Sequence, residues 1–152
     1  MISRTSAYAL EAALAIAHAG NEPVRAASIA QQLDLPANYL SKILHALARG
    51  GVLTSERGPT GGFRLARQPE RIRIHDILSE FEDVGESRRC LLGRGRCSDE
   101  DSCPMHHQWK AVSGPVFDFF RTTTLADLLA AKPASPPSRR SGRASGRRSR
   151  TR

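Results

Sequence analysis

The sequence predicts a mainly α-helical protein with a small β-hairpin wing: a winged helix-turn-helix followed by a dimerisation helix. Three observations predict it. Two short amphipathic segments between residues 27 and 50 are joined by the tight turn Asp34-Leu35-Pro36. Two alternating runs, 52–57 and 62–66, follow at once and flank Gly58-Pro59-Thr60-Gly61, a turn rich in backbone freedom. Downstream, Trp109, Val112, Val116, Phe119 and Phe120 gather on one side of a last long helix. That stripe is large for a chain of 152 residues with 39% hydrophobic and 5% aromatic content. A core of this size suits one compact domain, and the stripe suits burial against the same helix of a second copy.

The first element spans about residues 7–19, where Tyr8, Leu10, Leu14 and Ile16 stand among alanines. Arg4 before it and Ala17-His18-Ala19 after it imitate a secretion signal, but Glu11 places a charge inside the apolar stretch, which suits an amphipathic helix instead. Asn21-Glu22-Pro23 ends the helix. A second, short helix starts near Ser28 and stops at Asp34-Leu35-Pro36. The third begins near Pro36 and runs to Gly50-Gly51, with Leu40, Ile43, Leu44 and Leu47 on one face. Its other face carries Asn38, Ser41, Lys42, His45 and Arg49 at the same spacing. Most polar helix faces simply contact water. Here the tight turn and the hairpin behind it favour a helix that enters the DNA major groove.

The hairpin places Arg57 and Arg64 beside glycines that permit close backbone approach, which suits phosphate and minor-groove contact. A nucleotide-binding phosphate loop is the competing reading and fits poorly, because the turn has no Walker lysine and does not lead from a strand into a helix. Beyond it, Ile72, Ile74, Ile77, Leu78 and Phe81 predict a connecting strand and a short helix. The long helix is expected from about Pro104, with Gly114-Pro115 kinking or interrupting it. Thr124-Leu125-Ala126-Asp127 reads as a capping box that opens a last short helix.

Between these helices lie the chain's three cysteines, in the segment Cys90-LLGRGR-Cys97-SDEDS-Cys103-PM-His106. Three soft thiolates and an imidazole in one polar loop have the donor set of an iron-sulfur cluster, either 2Fe-2S or 4Fe-4S. An odd count fits a disulfide framework poorly. Zinc also accepts three Cys and one His, although its structural sites usually carry pairs about two to four residues apart. A structural zinc and metal-free redox thiols both stay open. An enzyme with Cys103 as nucleophile and His106 as base would need a substrate pocket and an orienting partner, and the sequence offers neither.

The run Asn38-Tyr39-Leu40-Ser41-Lys42-Ile43-Leu44, through Arg57-Gly58-Pro59-Thr60-Gly61-Gly62-Phe63-Arg64-Leu65, resembles the Rrf-type (IscR/NsrR-like) family of bacterial winged-helix regulators. The resemblance covers roughly residues 1–130 and includes the cysteine loop. It implies a homodimeric transcription regulator, not an enzyme, that binds a palindromic operator in double-stranded DNA. It also implies a cluster held by Cys90, Cys97 and Cys103, with His106 where a histidine ligand falls, and sensing of redox, nitric oxide or iron-sulfur status. Two departures bear on the ligand set. The first cysteine gap is one residue longer than the IscR-like pattern, and residue 7 is Ala where the NsrR-like type has an acidic ligand. Lys42, Asn38, Ser41 and His45 are the expected base readers, and Arg57 and Arg64 the expected backbone contacts. Ser28, Tyr39, Arg49 and Thr60 complete the expected DNA-contact set.

The charge agrees with this division. The formal net charge is +8, but Lys132 and seven arginines beyond it carry all of the excess. Residues 1–75 hold nine Lys and Arg against five Asp and Glu, whereas residues 76–131 hold six against ten. The DNA end is basic and the sensing end acidic. Arg88, Arg89, Arg94 and Arg96, interleaved with the thiols, either offset cluster charge or only solvate the loop. The expected organisation is a winged helix-turn-helix DNA-binding region over 1–83, a cysteine-rich cluster loop over 84–103, and a dimerisation helix with a short C-terminal helix over 104–131. A disordered basic tail over 132–152 follows, made of Pro, Ser, Gly, Ala and Arg without apolar periodicity. No stretch is apolar and long enough to span a membrane, so the expected location is cytoplasmic.

Overall fold

The computed structural model of the chain describes residues 2–84, 90, 92, 100 and 103–131. In order, its elements are α1 (Arg4–His18), α2 (Ala26–Leu33), α3 (Ala37–Arg49), β1 (Leu53–Glu56), β2 (Gly62–Leu65), a 3-10 turn (Pro69–Arg71), α4 (Ile74–Leu78), α5 (His106–Thr122) and α6 (Leu125–Ala130). Among the described residues, no helix is long and apolar enough to cross a membrane. The expected basic tail and the arginines at 88, 89, 94 and 96 lie outside the described residues.

α1 is the central support. The Ser3 hydroxyl accepts the Ser6 N–H at 3.2 Å, which satisfies one of the donors that a helix start leaves unpaired. Ala9, Ala12, Ala13 and Ile16 recur at helical spacing and are fully buried. The small alanine side chains let neighbours approach closely, and α2, α3, α4, α6 and β2 all pack on this helix. The main core joins them to Ile29, Leu40, Leu44, Leu47, Phe63 and Leu125.

α2 begins at Ala26, two residues before the expected start near Ser28. It ends at Asp34, which adopts the left-handed conformation at φ 54°. A short polar side chain tolerates that region better than an apolar one. The following Leu35 N–H reaches back to the Ala30 carbonyl at 2.9 Å, closing the turn between the two helices. Pro36, with φ held at −59°, then leads directly into α3.

β1 and β2 pair antiparallel, with Leu53 opposite Leu65 and Ser55 opposite Phe63. Phe63 therefore faces the core, while Thr54, Glu56 and Arg64 share the outer face. Val24 exchanges both backbone hydrogen bonds with Phe63 at 2.8 Å, so the segment entering α2 extends the wing. This closeness explains Gly61-Gly62. A Cβ on Gly62 would lie 2.6 Å from the Val24 carbonyl oxygen, and one on Gly61 would lie 2.3 Å from that of Glu56.

The strand expected near Ile72 is a short bridge rather than a strand. Ile74 N–H donates to the Thr123 carbonyl at 3.0 Å and Leu125 N–H to that of Ile72 at 2.7 Å. The capping box forms as expected, with the Thr124 N–H on the Asp127 carboxylate at 2.8 Å and the Asp127 N–H on the Thr124 hydroxyl at 3.2 Å. These hydrogen bonds hold the Asp127 carboxyl below its ordinary pKa. α5 starts at His106 rather than Pro104, and it runs without interruption through Gly114-Pro115. The proline still removes one hydrogen bond and crowds the carbonyl one turn back, but its further clash with the residue before it is eased because Gly114 has no Cβ.

Candidate nucleic-acid interface and thiol site

α3 turns its apolar side inward and its polar side out. Leu40, Ile43, Leu44 and Leu47 are buried, while Asn38, Lys42, His45 and Arg49 are exposed and Ser41 is half-buried. Each expected base reader thus stands on or beside the open face. Ser28 on α2 and Thr60 at the wing tip are also exposed. Among the described residues, Lys42, Arg49 and Arg57 form no ion pair, which leaves three cations open to phosphates.

Three members of the expected set have further contacts. Arg64 pairs with Glu56 at 2.7 Å across the outer face of the wing, with both side chains largely in water. Such a pair contributes only about 0–1 kcal/mol, so a phosphate can compete for the guanidinium. The His45 ring meets Phe63 edge-on at 5.4 Å and so ties the recognition helix to the wing. Tyr39 stacks edge-on against Tyr8 at 6.2 Å, and its hydroxyl bonds Thr5 Oγ1 at 2.9 Å. Its contacts run to α1, where they orient the first turn of α3.

Sequence reasoning missed Arg25. Its guanidinium donates to the Pro59 carbonyl at the wing tip. This contact joins residues 34 apart in the chain and leaves no local signal. Reasoning from periodicity also missed Met105, which is exposed and precedes the exposed stripe of α5.

The thiol site lies at the other end of the chain. Cys90 and Cys103 bring their sulfurs to 3.5 Å, and both are buried, at 7% and 9% exposure. A disulfide needs a separation of about 2.05 Å. Two thiolates on one tetrahedral metal ion, with bonds of about 2.3 Å, stand about 3.8 Å apart. The pair is therefore unbridged, with the Cys90 thiol donating to the Cys103 sulfur, at a separation close to that of neighbouring ligands on one ion, and soft thiolates suit iron-sulfur or zinc. His106 is 2% exposed and opens α5, its backbone N–H donating to the Cys103 carbonyl at 2.9 Å. Its ring meets that of His107 at 5.3 Å. Among the described residues, no group of three His, Cys, Asp or Glu is arranged to hold a metal ion. Cys97 lies outside the described residues.

α5 shows the reverse of α3. Its buried residues are polar, His106 and Ser113, and among the described residues the Ser113 hydroxyl has no hydrogen-bond partner. Val112, Val116 and Phe119 are exposed, the first at 61% and the last at 51%. Trp109 is half-buried. Phe120 turns the other way and packs on Ile74, Leu78 and Val84 of its own chain. Met105, Trp109, Val112, Val116 and Phe119 follow steps of four, three, four and three, the spacing of a coiled-coil seam.

A shallow cleft of about 370 Å³ lies between the end of α1 and the outer face of the wing, lined by Asn21, Thr54, Arg64, Arg67 and Gln68 among others. It contains neither Cys103 nor His106. The proposed nucleophile and base therefore have no part in this cleft.

The family described as iron-dependent transcriptional regulators, Rrf2, matches residues 2–131. A relative named as an HTH-type transcriptional regulator, from Aquifex aeolicus, is 37% identical over 131 residues, covering 85% of this chain and 91% of the relative. Among solved structures, CymR, the global cysteine regulator of B. subtilis, is 26% identical with a TM-score of 0.71, covering 84% of this chain and 95% of its own. IscR of T. potens is 28% identical with a TM-score of 0.67, covering 85% of each chain.

Proposed function

The chain belongs to the Rrf2 family of DNA-binding transcriptional regulators, and from that premise we propose that it is a homodimeric cytoplasmic regulator whose affinity for a palindromic operator depends on an iron-sulfur cluster. The observation that carries the sensing part is the approach of two buried thiols to 3.5 Å at the start of α5. Cys90, Cys97 and Cys103 would hold the cluster, with His106 as the candidate fourth donor. When bound, such a group supplies a centre that changes with redox state, nitric oxide or iron supply.

The chain's own residues supply the rest. Asn38, Ser41, Lys42 and His45 read base edges from α3, while Ser28, Arg49, Arg57, Thr60 and Arg64 hold phosphates and the minor groove. Met105, Trp109, Val112, Val116 and Phe119 form the seam with a second copy, and Phe120 buttresses it from within the subunit. A dimer of this kind spaces two recognition helices by about one turn of DNA. The four regions 1–83, 84–103, 104–131 and 132–152 then serve as DNA-binding unit, sensing loop, dimer element and basic tail. One qualification of the third comes from α6, whose Leu125 is buried in the core of the DNA-binding unit.

Zinc fits the same two thiols, and the test separates them. Protein purified without oxygen is expected to be brown and to contain iron and acid-labile sulfide, both lost in Cys97→Ala. Colourless wild-type protein with stoichiometric zinc would replace the sensing cluster by a structural ion, and metal-free protein would leave redox thiols.

A further inference from the structure

The stretch between α4 and the thiol loop touches the recognition helix, directly or through α1, at both of its ends. Glu82 accepts the Ser3 N–H at 2.6 Å and the hydroxyl of Ser6, which is fully buried. Ser3 and Ser6 form the first turn of α1. Between them sits Thr5, whose hydroxyl bonds the Tyr39 hydroxyl, and one turn on sits Tyr8, whose ring packs against that of Tyr39. Tyr39 belongs to the first turn of α3, beside Asn38 and Ser41. At the far end of α3, the Glu80 side chain lies against Gly50, so closely that a Cβ there would fall 2.1 Å from the Glu80 carboxylate oxygen.

The same stretch is anchored to the sensing end. Val84, two residues beyond Glu82, is buried with Ile74 and Leu78, and Phe120 of α5 packs on them. α5 carries His106 in its first turn and follows Cys103 directly. A shift of α5 or of the thiol loop therefore acts on Val84 through packed side chains, which do not deform continuously.

We propose that residues 79–84 are the intrasubunit link through which the state of the thiol site sets the position of the recognition helix, with Glu82 as the positioning residue. The link rests on the reading that the thiol site is the signal input. Glu82 stands outside the expected DNA-contact set. It fixes the entry of α1, and α1 fixes Tyr39. Hydrogen bonds are well suited to this, since they are directional and are lost over a few tenths of an ångström, whereas an apolar contact would slide. Burial raises the Glu82 pKa, but the bonds from Ser6 and Ser3 outweigh it and hold the group below its ordinary value, so it accepts both bonds as a carboxylate at neutral pH.

The experiment compares operator affinity for cluster-loaded and metal-stripped full-length protein, by anaerobic fluorescence anisotropy at matched salt. It covers the wild type, Glu82→Ala, Glu82→Gln and Thr5→Val. The wild type is expected to differ by about tenfold between the two states, a usual size for coupling between sites. Glu82→Ala and Thr5→Val are expected to bring that ratio below about threefold while non-specific DNA binding keeps its salt dependence, and Glu82→Gln, whose amide oxygen can still accept from both Ser3 and Ser6 but without the charge, to restore part of it. A merely structural role would lower the melting temperature and leave the ratio intact. Should Glu82→Ala fail to fold, Thr5→Val and Glu82→Gln decide. A wild-type ratio retained in the variants overturns the link and leaves the proposed function standing. Equal affinities in the wild type overturn both.

Discussion

α3 and α5 are both amphipathic, and they are built in opposite senses. α3 buries Leu40, Ile43, Leu44 and Leu47 and shows water an Asn, a Lys, a His and an Arg. α5 buries His106 and Ser113 and shows water Val112, Val116 and Phe119. The first arrangement is complete in one chain, because its exposed groups are already solvated. The second is not, since an exposed apolar stripe at heptad spacing gains stability only when another surface covers it. Under the proposed function the two helices take different partners: a polar, charged one for α3 and a second copy of α5 for α5.

The largest effect is expected from breaking α5. Phe119→Asp puts a charge into the seam and should give a monomer in analytical ultracentrifugation. Operator affinity should fall about 100-fold or more, because two half-sites are no longer bound together. The fold of the DNA-binding unit should persist, since Phe119 lies outside its core. The reciprocal change, Lys42→Ala, should leave the dimer intact and cost about 1–3 kcal/mol on the operator with relaxed sequence preference, as read by competition with altered sites. If Lys42→Ala also dissociated the dimer, the two helices would not be separable in this way.

Arg57→Ala sharpens the α3 side. A wing cation that holds phosphate should weaken binding to all sequences alike and reduce the salt slope by about one. The smallest effect concerns Glu82. Its folded pKa is depressed, so it contributes stability above its ordinary value of 4.5, and that contribution is lost as pH falls through the folded pKa. The wild type should therefore lose melting temperature relative to Glu82→Gln below about pH 4.5, and the two curves should run parallel near neutrality.

The comparison also separates what was legible in the sequence from what was not. The helix-turn-helix, the wing and the Thr124–Asp127 capping box depend on local spacing, so periodicity and turn chemistry reveal them. The face of α5 was legible as a stripe, but not the fact that Phe120 turns inward to Ile74 and Leu78 while its neighbour Phe119 turns out. Gly61-Gly62 reads as a turn signal, yet its physical cause is the close passage of Val24 and Glu56 backbone. The Arg25 tether on Pro59 and the Glu82 bonds to Ser3 and Ser6 span 34 and more than 70 residues. No local pattern encodes such pairs; the tertiary fold brings them together. The continuity of α5 through Pro115 shows the same limit, because the effect of a proline depends on the glycine before it and on the packing around the helix.

The most direct measurement is the affinity of wild-type protein for its operator, cluster-loaded against metal-stripped, titrated without oxygen over a range of salt concentrations. A regulator switched at its thiol site shows two binding curves displaced by about fivefold or more at every salt concentration. Coincident curves across the whole range would contradict the switch while leaving a winged-helix DNA-binding protein.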